Sequence, residues 1–120
     1  MRIAFASEGE GLQSSLSQHF GRCPKYVFVE LEGSNIKQTN SKNNPFFSGH
    51  EPGMVPEFIA NEGADVIISG GMGPKAIEWF EQLGIKPITA PVKPIKELLE
   101  DYINGKLTGA APCNDHESHP

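Results

Sequence analysis

Ala64-Asp65-Val66-Ile67-Ile68-Ser69-Gly70-Gly71-Met72-Gly73-Pro74-Lys75-Ala76 passes from an unbroken apolar run, through three glycines, into a helix opened by proline. The β-branched run Val66-Ile67-Ile68 predicts a short strand over residues 65–69, buried on both faces as strands of a parallel sheet are. Pro74 suits the first turn of a helix, where its missing N–H has no intrahelical partner to lose. Ala76, Ile77, Phe80 and Leu83 then recur at helical spacing, and Gly84 closes the helix. Residues 85–89 supply the next short strand. Two strands joined through a helix pair in parallel, with a right-handed crossover.

Outward from this unit the pattern continues. Residues 3–6 read as a buried strand, followed by a long loop over 7–24 rich in Ser, Gly and Gln. Residues 26–31 form a second apolar strand. Glu32-Gly33-Ser34-Asn35 is a turn, and residues 36–39 are the returning strand of a hairpin. A second loop, residues 40–53, carries Asn, Pro, Ser and Gly. Met54, Val55, Phe58 and Ile59 mark a helix that starts near Pro52 or Gly53, because Pro56 is tolerated only in a first turn, and that Gly63 ends. Ile95, Leu98, Leu99, Tyr102 and Ile103 mark a last helix between Pro94 and Gly105. The expectation is one α/β domain over residues 1–105, a mixed five-stranded sheet with helices on its faces, and a flexible tail over 106–120.

Composition narrows the partners. The chain has 120 residues and a formal net charge of −5, with a pI near 5.3. Nucleic acid and anionic membranes are polyanions, so neither is expected as a main partner. No run is long enough to span a bilayer, and the N-terminus has no long apolar segment, so no signal peptide is expected. The two cysteines, Cys23 and Cys113, are then expected in a reducing cytoplasm, available as ligands.

Chemistry concentrates in three places. Gln18-His19-Phe20-Gly21-Arg22-Cys23-Pro24 sets an imidazole and a thiol around a glycine just before an apolar strand. Imidazole and thiolate are common ligands for soft and borderline metals, and glycine permits close approach. Gly70, Gly71, Met72 and Gly73 precede a helix, where backbone N–H groups favour an anion. This is not a phosphate-binding P-loop, since the four-residue spacer and the Ser/Thr are missing. Cys113, His116 and His119 have Cys-x-x-His-x-x-His spacing near the C-terminus.

The first two elements together resemble the dinitrogenase iron–molybdenum cofactor biosynthesis family, over roughly residues 1–110. The resemblance implies a ribonuclease-H-like three-layer fold with strand order 3-2-1-4-5 and strand 2 antiparallel. It also implies a non-enzymatic role: binding, carriage or storage of an iron–sulfur or iron–molybdenum–sulfur cluster or its precursors, with cluster-assembly or acceptor proteins as possible partners. His19, Gly21, Gly70, Gly71, Met72 and Gly73 are the expected cluster-binding residues, with His19, Cys23, Cys113, His116 and His119 as candidate metal ligands. In that topology both motifs lie at the carboxyl end of the sheet, where build direction reverses between strands 1 and 4 and ligands favour the crevice. His50 lies on a third loop at the same end.

Each feature has a plainer reading. His19 could bond only to backbone, and Cys23 could be a buried thiol. The glycines could serve only a tight turn, and Met72 only packing. The tail could be merely solvated, although residues 104–113 extended would reach about 30 Å, enough to curl back to the crevice. Glu8 and Glu10 flank Gly9 as a possible carboxylate pair or as an ordinary solvated loop. Two other functions compete. A nuclease or phosphotransferase needs clustered carboxylates, yet the first strand has none, Asp65 precedes its strand, and residues 70–75 contain no acid. An adaptor domain would use the loop aromatics Phe46 and Phe47, expected to be exposed.

Overall fold

The structure, a computed structural model, describes residues 1–46, 54–107 and 109–110. Its elements run β1 (Arg2–Ser7), β2 (Lys25–Glu32), β3 (Asn35–Asn43), α1 (Met54–Asn61), β4 (Val66–Ser69), α2 (Pro74–Gln82), β5 (Lys86–Thr89) and α3 (Ile95–Ile103). Strand order is β3-β2-β1-β4-β5. β1 pairs antiparallel with β2 and parallel with β4, and β4 pairs parallel with β5. This is the expected mixed five-stranded sheet, in the order implied by the family resemblance.

Alternation along the central strands makes the three layers. Ile3, Phe5, Val66 and Ile68 point to one face, where Ile95, Leu98 and Leu99 of α3 cover them. Ala4, Ala6 and Ile67 point to the other, under Val55 and Ile59 of α1 and Phe80 of α2. Side-chain direction alternates along a strand, so β1 and β4 carry apolar residues at successive positions through Ile3–Ala6 and Val66–Ile68. That is why Val66-Ile67-Ile68 reads as a run. Each fully buried Ile, Phe or Leu contributes about 1.5–3 kcal/mol. Gly63, Gly84 and Gly105 follow α1, α2 and α3 at φ +82°, +78° and +77°. This left-handed backbone ends each helix where the sequence places the stop.

One strand differs from expectation. β3 extends to Asn43, although residues 40–43 are poor strand formers and were expected in a loop. The registers Val27↔Ser41 and Lys25↔Asn43 show why: the whole outer edge of β2 needs backbone partners. The resulting edge strand is mostly exposed and polar, and its register shifts at Lys37 between the pairs Glu30↔Gln38 and Leu31↔Ile36, both features that discourage edge-to-edge association. Beyond α3, Leu107 packs against the core on that face, and the Thr89 N–H donates to the Gly109 carbonyl at 3.2 Å. Contacts with the rest of the fold are therefore made by Leu107 and Gly109 as well. Among the described residues no helix is long and apolar enough to cross a membrane.

Ile67→Ala should destabilise the fold by about 2–5 kcal/mol in urea denaturation, the range for truncating a fully buried aliphatic chain. Lys37→Ala, on the exposed edge, should stay within about 0.5 kcal/mol of the parent.

Candidate functional site

β1 and β4 are parallel neighbours, so the loops leaving their carboxyl ends emerge side by side. Each strand ends in a buried serine that turns the chain in the same way. Ser7 Oγ donates to the Gly9 carbonyl at 2.7 Å and accepts the Gly9 N–H at 3.2 Å. Ser69 Oγ does the same with Gly71, at 2.7 and 3.2 Å. The loops are then joined directly. Ser17 donates its N–H to the Ala6 carbonyl at 2.7 Å and accepts the Gly70 N–H at 2.8 Å. A Cβ at Gly70 would lie 2.8 Å from Gln18 Cα and 3.0 Å from the Ser17 carbonyl oxygen. Glycine is required at residue 70 because two backbones touch there.

Past this contact the loops diverge around an open recess of ≈ 210 Å³ lined by His19, Phe20, Gly21, Arg22, Gly71, Met72 and Gly73. The two sequence motifs therefore share one recess. Gly70 supports it from behind and is not among the lining residues. The Gly71 N–H is already held by Ser69, which leaves the α2 terminus, opening at Gly73 without a side-chain cap, as the backbone donor region on that side. His19 is exposed at the rim, its N–H donating to Ser17 Oγ at 3.2 Å. Met72 is buried in the core, 1% exposed, and presents only an edge of itself to the recess.

The segment from Phe20 to Cys23 is held from beneath. Phe20 packs edge-on against Phe80 of α2, with ring centroids 5.4 Å apart. The Tyr26 hydroxyl donates to the Phe20 carbonyl, and the Cys23 thiol donates to the same oxygen at 3.4 Å. Buried Asn44 donates from Nδ2 to the Gly21 carbonyl at 3.0 Å and the Cys23 carbonyl at 2.9 Å, while its Oδ1 accepts the Phe46 N–H at 2.8 Å. The carbonyls of Phe20, Gly21 and Cys23 are thus engaged by buried donors. The groups left at the recess are the His19 imidazole, the exposed Arg22 guanidinium and the α2 terminus, all suited to negative charge.

Cys23 sits in the core and does not line the recess. Burial pushes its thiol up to about 11, only partly opposed by its hydrogen bond with Tyr26. A desolvated thiol of this kind favours its neutral form. Burial and the neighbouring Cys23 likewise raise the Tyr26 hydroxyl. Phe46, expected to be exposed, is half-buried and meets Phe58 edge-on at 6.1 Å. Glu10 pairs with Lys25 at 3.3 Å. Among the described residues no three His, Cys, Asp or Glu side chains converge to hold a metal ion. Phe47, His50, Cys113, His116 and His119 lie outside the described residues.

Sequence reasoning passed over Arg22, Asn44 and Tyr26. A signal for Arg22 was present: it is the cation within the His-Phe-Gly loop of an acidic chain. Asn44 and Tyr26 act through partners 20 or so residues away, or through a buried hydroxyl, which local pattern does not reveal.

Comparison with known proteins places this architecture. The profile of the dinitrogenase iron–molybdenum cofactor family matches residues 1–105. An uncharacterized protein of Methanocaldococcus jannaschii is 40% identical over 94 residues, 77% of this chain and 80% of that protein. The crystal structure of PH0822 superposes with a TM-score of 0.81 at 38% identity, covering 90% of this chain and 95% of the other. The apo form of the orange protein from Desulfovibrio gigas superposes with a TM-score of 0.81 at 25% identity, covering 92% and 93%.

Two outcomes follow from the site's construction. Gly70→Ala should cost about 1–3 kcal/mol in chemical denaturation, as overpacking against backbone does. Gly73→Ala, whose added Cβ meets nothing within 4 Å, should change stability little. In a Cys113→Ser background, Cys23 should resist alkylation at pH 8 and react only when the chain is unfolded. Because the folded thiol binds its proton more tightly than the unfolded one, its contribution to stability is complete below pH 9 and is lost as pH rises toward about 11.

Proposed function

We propose that this chain, which belongs to the dinitrogenase iron–molybdenum cofactor family, binds and carries an anionic metal–sulfur species in the recess between His19 and Gly73. The observation that carries the reading is the lining itself: an imidazole, a guanidinium and an uncapped helix terminus, with no carboxylate among the lining residues, in a protein of net charge −5. Long-range repulsion disfavours anions elsewhere on such a surface, so local positive character here is selective. His19 is the exposed lining side chain able to bond directly to a metal atom of the cargo, the Met72 thioether being buried. Arg22 and the α2 terminus would complement its peripheral charge.

The cargo class is an iron–sulfur or iron–molybdenum–sulfur cluster, or a precursor of one. One direct ligand on an open rim suits a protein that must release what it holds to a cluster-assembly or acceptor protein. The role is carriage or storage rather than catalysis, in a reducing cytoplasm. The adaptor reading loses part of its support, since Phe46 is spent against Phe58.

Anaerobic equilibrium dialysis with tetrathiomolybdate, read by its visible absorption, tests the reading. The unmodified protein should bind it, with affinity falling as salt is raised. His19→Ala and Arg22→Ala should each weaken binding about tenfold or more, the effect of losing one interaction with a charged group. Lys37→Ala on β3 should bind as the parent does. Equal affinity across all four proteins would sink the proposal.

A further inference from the structure

Charge alone does not say which anion the recess takes. Molybdate and tetrathiomolybdate are both tetrahedral and both doubly negative, so His19, Arg22 and the α2 terminus attract them alike at a distance. What separates them is the surface they meet on contact.

Among the described residues, two of the lining side chains are apolar, Phe20 and Met72. Met72 belongs to the core and is only 1% exposed. Phe20 is half-buried and is held at both of its ends. Its ring meets Phe80 edge-on at 5.4 Å, and its carbonyl oxygen accepts both the Tyr26 hydroxyl and the Cys23 thiol. The ring is therefore a fixed apolar wall in the same short loop as the His19 and Arg22 side chains. Three backbone positions at the recess offer no free donor beside it. The His19 N–H is held by Ser17 Oγ, the Gly71 N–H is held by Ser69 Oγ, and Pro74 brings none to the first turn of α2.

An oxide ligand accepts strong hydrogen bonds from water, and a phenyl ring gives none in return. Strongly hydrated oxyanions such as sulfate and phosphate are excluded from surface of this kind. A sulfide ligand accepts only weak hydrogen bonds, gives up less on leaving water, and is polarisable. Sulfur also packs favourably at the edge of an aromatic ring.

We propose that Phe20 makes the recess selective for sulfide-coordinated anions over oxyanions of the same charge and shape. The inference rests on the preceding reading, that an anion binds here, and adds how one class is chosen. It also fixes the state in which the cargo arrives. Exchange of oxide for sulfide has to precede binding: each metal–oxygen unit reacts with hydrogen sulfide to give a metal–sulfur unit and water, and the metal keeps its oxidation state.

Anaerobic equilibrium dialysis of the full chain against molybdate and against tetrathiomolybdate, at one ionic strength and with metal analysis of both chambers, tests this. The unmodified protein should bind tetrathiomolybdate about tenfold or more tighter than molybdate, within the range that an apolar contact discriminates. Phe20→Asn sets an amide of nearly leucine size in place of the ring and should lose most of that preference. Phe20→Leu should keep most of it. Both variants lose the contact with Phe80, and an affinity ratio taken within one protein cancels any fraction that fails to fold. Equal affinity for the two anions in the unmodified protein overturns the inference. So does the parental ratio in Phe20→Asn, or an equal loss in Phe20→Leu and Phe20→Asn, which would assign the effect to loop shape. Failure of the unmodified protein to bind tetrathiomolybdate removes the preceding reading and this one together, whereas equal binding of both anions removes this one alone.

Discussion

The site depends on one backbone contact, the bond from the Gly70 N–H to the Ser17 carbonyl. It joins the loops after β1 and β4 at the point where the central pair of parallel strands ends. Any side chain at residue 70 would force these backbones apart. With them joined, the chain beyond Ser17 runs on to Phe20, which packs edge-on against Phe80 in the last turn of α2. His19 and Arg22 come to face Gly71 and Gly73 as a consequence. The recess is a gap between two loops stitched together at their base, and its position follows from the sheet order.

Its polarity has an equally local cause. A loop usually presents carbonyls and N–H groups to water in similar measure. Here Tyr26, Cys23 and Asn44 take the carbonyls of residues 20, 21 and 23 from the core side. What faces outward is weighted toward donors and cations. Cys23 is kept neutral by its desolvated position, which outweighs its hydrogen bond with Tyr26. Its nearness in sequence to His19 reflects support of the loop from below, while the imidazole stands on the opposite, solvent-facing side.

Apolar periodicity made most of the fold legible. Val66-Ile67-Ile68, Pro74 and the three helix-ending glycines mark their elements directly, because burial and backbone conformation act on the residues that carry the signal. β3 was cut short for the opposite reason: residues 40–43 are strand because β2 demands partners, and nothing in their own chemistry says so. That the two motifs meet at one recess was legible from the motifs and the topology together. The division of labour within it was not: Gly70 reads like its neighbours, yet it is spent on Ser17, and Phe46 reads as exposed, yet packs on Phe58.

The sequence by itself determined the element order, the layers and the end of the sheet at which chemistry collects, since these follow from hydrophobic spacing, proline and glycine, which act over a few residues. Only the tertiary structure decided which of the clustered groups face the recess. His19 and Arg22 are turned out and Cys23 is turned in by bonds from Ser17, Tyr26 and Asn44, and Gly109 is brought back beside Thr89 by the edge of β5. Each of those contacts joins segments that are adjacent only once the sheet has formed, so spacing along the chain cannot encode which partner a given group will meet.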